Sequence, residues 1–320
     1  MKAIVHDEYG EAEVLTLAEV DRPEPGRGEV LVEVRAAGVD PGVWHLMAGL
    51  PYLVRTATGL RRPRDRVRGR DFAGVVVAVG PGVDAFEPGA EVFGTCGGAF
   101  AEYARVRVDR CTAKPPNVSF EQAAALPVSG LTALHAVRRT VRPGNSVLVI
   151  GAAGGVGSFA VQLAKAAGGE VTGVCSTGKL ELARSLGADH VVDYTREDPV
   201  SGARRYDVVL DTAGLRPLSQ LRRALTPRGT LLIIGGEGGG RWLGGLERVL
   251  GAMLLSPFVS HRLRGVISQE NRKDLEHLGQ LVADGTLTPV IDRTYPLADA
   301  AEAIRYIVGG NARGKVVVTI

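Results

Sequence analysis

The sequence predicts an α/β protein of two domains, in which a β-rich domain is combined with a doubly wound parallel sheet. The chain has 320 residues, which suffices for two domains of ordinary size. Short valine-rich runs separated by Pro and Gly turns fill its first third. From Ser146 onward, strand-like and helix-like segments alternate, as they do in parallel sheets that are covered on both faces.

The β-rich part is predicted from four short runs, Val14–Val20, Glu29–Ala36, Phe72–Val79 and Ala101–Val106. Turn signals such as Pro23-Glu24-Pro25-Gly26, Gly80-Pro81-Gly82 and Pro88-Gly89 separate these runs. The spacing is typical of a small barrel or sandwich. The pattern then changes at Ser119, which forms a capping box with Gln122 and predicts the start of a helix.

The alternating part begins with a strand, Ser146–Ile150, and a helix, Ser158–Ala167, that Gly168 closes. The next segments are the strands Glu170–Cys175, His190–Val192, Asp207–Leu210 and Thr230–Ile234 and the helices Lys179–Leu186 and Leu218–Leu225. The glycine-rich stretch Gly235–Gly245 is predicted to be a mobile loop. The chain ends with a helix at Asn271–Asp284, a strand at Val290–Tyr295, a helix at Leu297–Val308 and the valine-rich strand Gly314–Ile320, which suits a buried position.

Composition and charge indicate a globular protein and exclude several classes. The net charge of +3 is too small to suggest a nucleic-acid partner. Cys96, Cys111 and Cys175 lie far apart in the sequence, so no disulfide framework is indicated and a cytoplasmic protein is expected. Apolar runs stay well short of the roughly 20 residues that span a bilayer, so we expect no membrane partner.

A glycine motif joins the first predicted parallel strand to its helix, Ile150-Gly151-Ala152-Ala153-Gly154-Gly155-Val156-Gly157. In this frame Gly154 lets the backbone approach a pyrophosphate, and Gly157 permits close packing of helix and strand. The helix N-terminus offers N–H groups and a positive dipole end to the phosphates. We therefore predict a dinucleotide site at Ala153, Gly154, Gly155 and Val156.

The choice of cofactor is predicted at the end of the next strand, where an NAD site carries Asp or Glu. Val174-Cys175-Ser176-Thr177-Gly178-Lys179 contains no acid there. Ser176 and Lys179 can bind a 2′-phosphate, and Tyr194 can flank the adenine side. A plainer interpretation makes Thr177 a helix cap, Ser176 a turn residue and Lys179 solvated. The missing carboxylate favours NADPH under either interpretation.

Five segments of the sequence form a recognisable set: Gly69-Arg70-Asp71-Phe72-Ala73-Gly74-Val75, Ala124–Ala133, Gly151–Gly157, Leu186–Tyr194 and Arg313-Gly314-Lys315-Val316-Val317. With this set the chain resembles the zinc-free quinone oxidoreductase branch of the medium-chain dehydrogenase/reductase superfamily. The resemblance implies a chaperonin-10-like β-rich catalytic domain, residues 1–118 with 285–320, and a Rossmann domain, residues 119–284. Ligands bind between these two domains in the family.

The resemblance also implies roles for single residues. Thr132 and Gly235–Gly236 are expected near the nicotinamide half of the cofactor, and Lys315 is expected among the cofactor-binding residues. A homodimer is expected, with Leu263–Ile267 as the strand that pairs with its mate.

The resemblance further predicts that no zinc is bound. Zinc-dependent relatives carry Cys where this chain has Asp40, and His-Glu where it has Arg70-Asp71, and these residues cannot rebuild a Cys/His zinc site. The four-cysteine structural zinc loop of those relatives is also missing from the sequence. The six histidines show no ligand spacing.

Without a Lewis acid, the substrate must spread the charge that it gains. The sequence therefore predicts hydride transfer from NADPH to a quinone or a conjugated enone, with Asp40, Trp44 and Tyr52 as candidate substrate contacts. Relatives usually carry Asn in place of Asp40, and Trp44 and Tyr52 also fit core packing. An NADP-dependent alcohol or carbonyl dehydrogenase and a cofactor-binding protein without catalysis, such as a crystallin or an RNA-binding protein, stay open as alternatives.

Overall fold

The computed structural model describes residues 1–236, 239–266 and 268–320. The chain forms two compact units, Met1–Leu131 with Gln269–Ile320, and Thr132–Ser268. The expected boundaries followed residues 118 and 284. Residues 119–131 and 269–284 instead join the first unit, because Asn117 donates to carbonyl groups at the end of the helix Arg272–Ala283 and Gly130 lies against Leu278 of that helix.

The first unit is built on antiparallel strands, as its valine-rich runs predict. Among the described residues, its strands are β1 (Lys2–Val5), β2 (Thr16–Glu19), β3 (Glu29–Val39), β4 (Asp71–Val79), β5 (Glu91–Thr95), β6 (Tyr103–Arg107), β7 (Cys111–Ala113), β14 (Ile291–Pro296) and β15 (Lys315–Thr319). Its helices are α1 (Pro41–Ala48), α2 (Arg55–Thr58), α3 (Phe120–Ala124), the start of α4 (Pro127–Thr140), α9 (Arg272–Ala283) and α10 (Ala300–Val308).

The long strand β3 organises the main sheet of this unit. The sheet runs β14-β15-β3-β4-β5-β7 among the described residues, and β6 pairs with β3 beside that path. All pairs except β14 with β15 are antiparallel. Phe72, Phe93 and Phe100 are fully buried, and burial of a phenylalanine contributes about 1.5–3 kcal/mol. The core thus lies along β3, β4 and β5.

The second unit is a parallel sheet with helices between its strands. Its described strands are β8 (Ser146–Ile150), β9 (Glu170–Cys175), β10 (His190–Asp193), β11 (Tyr206–Asp211), β12 (Leu225–Ile233) and β13 (Arg262–Gly265). Its described helices are the rest of α4 with α5 (Gly155–Ala166), α6 (Leu180–Ser185), α7 (Leu218–Arg223) and α8 (Leu246–Leu255). The strand order is β10-β9-β8-β11-β12-β13, all parallel.

This order is that of a Rossmann sheet, in which ligands bind at the carboxyl ends of the strands where the order reverses. The reversal lies between β8 and β11, which pair Ile150 with Asp211. Helix α5 follows β8 and is buried around most of its circumference, since the consecutive residues Phe159, Ala160 and Val161 are all buried. The predicted fold class is therefore confirmed. Within the described residues, no helix is long and apolar enough to span a membrane.

Candidate functional site

The glycine motif folds into a tight turn between β8 and α5. Gly154 occupies the cap position before the helix in extended conformation, with no side chain to cover the first turn. The predicted residues Ala153, Gly155 and Val156 lie on either side of it, and the first N–H groups of α5 have no acceptor within the helix. A Cβ on Gly157 would lie 2.0 Å from the carbonyl oxygen of Gly151. The turn thus closes only with glycine, and its open helix end fits a pyrophosphate.

The neighbouring strands bring further backbone to the same edge of the sheet. Thr212, just after β11, donates its hydroxyl to the carbonyl oxygen of Ile150 at 2.7 Å. Gly235, just after β12, donates its N–H to the carbonyl oxygen of Asp211 at 3.0 Å. A Cβ on Gly235 would lie 2.2 Å from the carbonyl oxygen of Thr212. The turns after β8, β11 and β12 are therefore joined by direct backbone contact.

A buried ion pair that the sequence did not indicate fixes this edge. Arg248, on α8, donates to Asp211 Oδ2 at 2.7 Å and to the carbonyl oxygen of Arg216 at 2.7 Å. The side chains of Arg248 and Asp211 are 13% and 0% exposed. Asp211 Oδ1 accepts from the N–H of Gly214 at 3.1 Å. Arg248 also donates to the carbonyl oxygen of Gly235 at 3.4 Å, so one charge pair contacts the segments that follow β11 and β12.

The predicted adenosine-side residues gather at the end of β9. Ser176 follows this strand directly, and its side chain makes no capping bond to the short 3₁₀ turn Thr177–Lys179. Lys179 ends that turn with its backbone N–H bound to the carbonyl of Ser176 at 2.9 Å. Tyr194 is 55% exposed, and its N–H donates to the carbonyl oxygen of Cys175 at 3.2 Å. Ser176, Lys179 and Tyr194 are thus brought to one corner.

An acid that sequence reasoning overlooked lies beside this corner. Asp193 ends β10, where its carboxylate accepts from the hydroxyl groups of Thr177 and Thr195. The hydrogen bond from Thr177 lowers the pKa of Asp193. Thr177 is therefore engaged as a partner of Asp193, beyond the capping role considered for it. The carboxylate is held by the protein's own hydroxyl groups, while the position directly after β9 carries Ser176.

In the first unit, the ends of three adjacent strands collect charged residues. Asp40 follows β3, Asp71 begins β4 and Lys315 begins β15, and the pairing places Gly38 opposite Asp71 and Val39 opposite Val316. Asp40 caps helix α1, with its Oδ1 accepting the N–H of Gly42 at 2.7 Å. Its Oδ2 is buried and has no hydrogen-bond partner among the described residues.

Asp71 and Lys315 form a buried pair. Lys315 Nζ donates to Ser129 Oγ at 3.0 Å and lies 3.5 Å from Asp71 Oδ2. Asp71 Oδ1 accepts the N–H of Val128 at 3.1 Å. Burial raises the pKa of Asp71 to about 7, with the nearby carboxylate of Asp40 acting in the same direction and Lys315 opposing it. The ammonium of Lys315, expected at the cofactor, is thus bound by protein partners inside the first unit.

A second charged cluster is centred on Glu270. Its carboxylate accepts from Arg70 Nη2 and from Arg110 Nη1, and from Thr95 Oγ1 at 3.1 Å. Arg70 and Glu270 are 200 residues apart in the sequence, which is why no spacing or periodicity indicated the pair. Arg70 also lines a cavity of about 120 Å³ together with Val43, Leu46 and Cys96, among others.

Trp44 and Tyr52 each contact other side chains of the first unit. Trp44 packs against the core of the first unit, and its indole N–H donates to Glu11 Oε2 at 2.8 Å. The guanidinium of Arg55 lies over Tyr52, with its central carbon 4.9 Å from the centre of the Tyr52 ring. Within the described residues, neither side chain lines the cavity beside Arg70. The structure therefore supports the packing interpretation for Trp44, whose polar atom is already bound by the protein.

No group of three or more His, Cys, Asp or Glu side chains suited to a metal ion occurs within the part of the chain that the structure describes. Burial raises the pKa values of the thiols of Cys96 and Cys111, that of Cys111 to about 12, so both are neutral thiols at ordinary pH.

The sequence matches two family descriptions that together cover most of the chain. Residues 26–116 match the alcohol dehydrogenase GroES-like domain, and residues 186–318 match the zinc-binding dehydrogenase family. The chain is 32% identical to the chloroplastic quinone-oxidoreductase QR1 of Triphysaria versicolor over 99% of its own length and 98% of that protein.

The chain belongs to the medium-chain dehydrogenase/reductase superfamily, in its quinone oxidoreductase-like branch.

Two further members of the superfamily resemble it closely. The chloroplastic NADPH-dependent alkenal/one oxidoreductase of Arabidopsis thaliana is 34% identical, over 99% of this chain and 79% of that protein. The structure of Escherichia coli quinone oxidoreductase complexed with NADPH matches with a TM-score of 0.85 at 26% identity, covering 100% of both chains. The protein is therefore an oxidoreductase of the medium-chain family, with a GroES-like and a Rossmann-type domain.

Proposed function

We propose that this oxidoreductase uses NADPH to reduce a quinone or a conjugated enone and that it needs no zinc. The observation that carries the proposal is the open N-terminus of α5 in the Gly151–Gly157 turn, with Ser176 and no acid directly after β9. A relative named a quinone oxidoreductase and one named an NADPH-dependent alkenal/one oxidoreductase support the same substrate class.

The second unit supplies most of the proposed cofactor residues. The N–H groups at Gly155 and Val156 would receive the pyrophosphate, and Ser176 and Lys179 would receive the 2′-phosphate. Tyr194 would flank the adenine, and Thr132 and Gly235 would hold the nicotinamide half. Bound NADPH would supply a hydride. Because Lys315 is bound by Ser129 and Asp71, we propose that it contributes through the position of its strand.

The substrate class follows from where the new negative charge goes. A quinone or an enone accepts hydride at one atom and spreads the charge onto an oxygen, so positioning and hydrogen-bond donors suffice. Asp40, Arg70 and Asp71 stand where zinc-dependent relatives carry their ligands, and a guanidinium cannot bind zinc. We therefore propose full activity in metal-free protein. Stoichiometric zinc in the purified protein, with loss of turnover on its removal, would contradict this.

A screen of NADPH oxidation tests the function. Purified protein is mixed with NADPH and, in turn, with a simple quinone, an α,β-unsaturated ketone and a saturated aldehyde. A separate assay supplies a primary alcohol together with NADP⁺. We expect turnover with the quinone or the enone and little with the saturated aldehyde or the alcohol. Turnover confined to the aldehyde and the alcohol would instead establish a carbonyl dehydrogenase.

Cofactor choice is tested at Lys179. Lys179→Glu places a negative charge at the proposed 2′-phosphate, so NADPH affinity should fall far more than NADH affinity. Arg228→Glu makes the same charge change at an exposed residue of the same unit and serves as the control. Fluorescence titration of both nucleotides measures the effect. Equal affinity of the parent protein for NADPH and NADH would rule out the proposal.

We also propose a homodimer that pairs through β13. This strand lies at the edge of the six-stranded sheet, and an exposed edge strand otherwise invites aggregation. Leu263, in the predicted segment, is buried, whereas Ile267 lies outside the described residues. Light scattering at micromolar concentration should give the mass of two chains, and the mass of one chain would contradict the proposal.

A further inference from the structure

The cavity beside Arg70 lies wholly within the first unit and is lined by both apolar and charged side chains. Its volume is about 120 Å³. A dry apolar cavity of roughly 150 Å³ suffices to bind benzene, so this smaller cavity has room for the carbonyl end of an unsaturated ligand, with the rest of the ligand outside it. Val43 and Leu46 give it apolar lining, and Cys96 adds a neutral thiol. Asp65 and Arg68 line it together with Arg70, so the lining also carries charges of both signs.

Arg70 brings hydrogen-bond donors to this lining. A guanidinium carries five N–H donors in a rigid fork. Nη2 of Arg70 donates to Glu270, which fixes the position of the Arg70 side chain. That side chain is still 33% exposed. The other arm, Nη1, lies 3.6 Å from the position that a Cβ would take on Gly42, and Asp40 Oδ1 lies 2.7 Å from the same position. Glu270 is itself held by Arg110 and Thr95, so the donor is anchored before any ligand arrives.

We propose that Arg70 binds the substrate carbonyl oxygen in this cavity and stabilises the negative charge that develops there during hydride transfer, an inference that rests on the function proposed above. The β-carbon of an enone gains a hydrogen with its electron pair from the C4–H bond of the nicotinamide, so the enone is reduced and the nicotinamide is oxidised. The π electrons move to the carbonyl oxygen beside Arg70, and a proton from water then adds to the α-carbon. Preorganised donors of this kind act where charge develops.

Arg70 thereby supplies by charge and hydrogen bonding what a Lewis acid supplies elsewhere. Glu270 is a positioning residue in this scheme, because it holds the guanidinium without lining the cavity. Arg110 binds the same carboxylate but does not line the cavity within the described residues, which makes it the matched control.

A binding experiment tests the cavity independently of turnover. The probe is 4-nitrophenol, a single ring whose oxyanion is coloured and resembles the charged product of reduction. Binding beside Arg70 should favour the phenolate, so the parent protein should lower the pKa of the bound probe. Arg70→Met should weaken phenolate binding by about tenfold or more, and Arg110→Met should leave it within about threefold of the parent. Equal phenolate binding by the parent and Arg70→Met would overturn the proposal.

Kinetics with the best quinone or enone tests the charge stabilisation. Arg70→Met should lower kcat by about 100- to 1,000-fold with unchanged NADPH affinity, as loss of an oxyanion donor does. Arg70→Lys, which keeps the charge but not the fork, should lose about tenfold and replaces Arg70→Met if that variant fails to fold. Parent-like kcat in both variants would overturn the proposal.

The two proposals can fail separately. If the parent protein reduces neither quinones nor enones, the proposed function fails, and the nitrophenol titration still decides the role of Arg70. In that case, phenolate binding that depends on Arg70 supports an anion-stabilising cavity, and binding that does not depend on it overturns the inference.

Discussion

The second unit builds its candidate pyrophosphate site from one continuous stretch of sequence, whereas the first unit assembles its charged groups from distant positions. Gly151–Gly157 alone forms the turn and the helix end that fit a pyrophosphate. The Glu270 cluster instead joins Arg70, Thr95 and Arg110 across as many as 200 residues. In the proposed function, a cofactor common to many enzymes would therefore be held by a local motif, while the chemistry particular to this chain would depend on the tertiary fold.

The largest exception to this contrast is expected at Arg248, because its ion pair with Asp211 makes the second unit depend on residues that are distant in sequence. Arg248→Met leaves Asp211 buried without its cation, and such a loss costs about 3–5 kcal/mol. We expect a reduction of that size in the free energy of unfolding, measured with urea.

Arg184→Met is the control for this measurement. It removes an exposed pair with Glu181, which is worth about 0–1 kcal/mol. Equal unfolding curves for the two variants would show that the buried pair does not hold this edge of the sheet.

The local motif is tested at Gly157. In Gly157→Val the added Cβ alone would lie 2.0 Å from the carbonyl oxygen of Gly151, so the turn must open to make room for the side chain. We expect loss of measurable NADPH binding and a destabilisation of about 1–3 kcal/mol. Gly202→Ala, at a glycine with no heavy atom within 4 Å of the added Cβ, is the control and should bind NADPH normally. NADPH binding retained by Gly157→Val would contradict the proposed pyrophosphate site at the Gly151–Gly157 turn.

The same contrast explains what the sequence could predict. The capping box of Ser119 and Gln122, the turn at Gly151–Gly157 and the buried terminal strand β15 are all confirmed, because each depends on neighbours in sequence or on simple periodicity. Helix Arg272–Ala283 begins one residue later than predicted, with Asn271 as its cap. The strand predicted at Val14–Val20 is present but shorter, as β2 at Thr16–Glu19, because a 3₁₀ turn at Ala12–Val14 precedes it.

Other elements escaped prediction for identifiable reasons. Helix α1 is short and mostly apolar, so its pattern did not separate it from a strand or a loop. Strands β5 and β7, the last two of the sheet, have few residues. The pairs Asp211 with Arg248 and Arg70 with Glu270 carry no spacing signal, because each forms only when distant elements pack.

The buried pair of the first unit is expected to show in the pH dependence of stability. The folded-state pKa of Asp71 is raised to about 7. The protonated carboxyl therefore adds to the free energy of unfolding, fully at pH values below its unfolded pKa, and this addition is lost as the pH rises through about 7. The stability of the parent relative to Asp71→Asn should therefore fall between about pH 4 and pH 7. Urea unfolding at several pH values measures this.

The comparison with Asp71→Asn is needed because burial lowers the pKa of His6, which contributes the opposite slope as its unfolded form loses a proton. A parent-minus-variant difference that stays constant across this range would contradict the raised pKa of Asp71.

The smallest effects are expected at Asp40 and Tyr52. Asp40→Asn keeps an oxygen for the N–H of Gly42 and relieves repulsion with Asp71, so folding should be unchanged and quinone turnover equal or higher. Tyr52→Phe removes a hydroxyl donor and should lower kcat with NADPH binding intact, by less than the 100-fold loss typical of a fully preorganised donor. Parent-like kinetics for both variants across pH would show that the two residues are structural.

The central claim, hydride transfer from NADPH to the conjugated carbon of an enone, is tested most directly by isotope tracing. The protein is supplied with an enone and NADPH deuterated at both C4 positions, and the product is analysed by NMR spectroscopy. The account predicts one deuterium at the β-carbon of the saturated ketone and hydrogen from water at the α-carbon. Deuterium on the carbonyl carbon, or a product without deuterium, would contradict it.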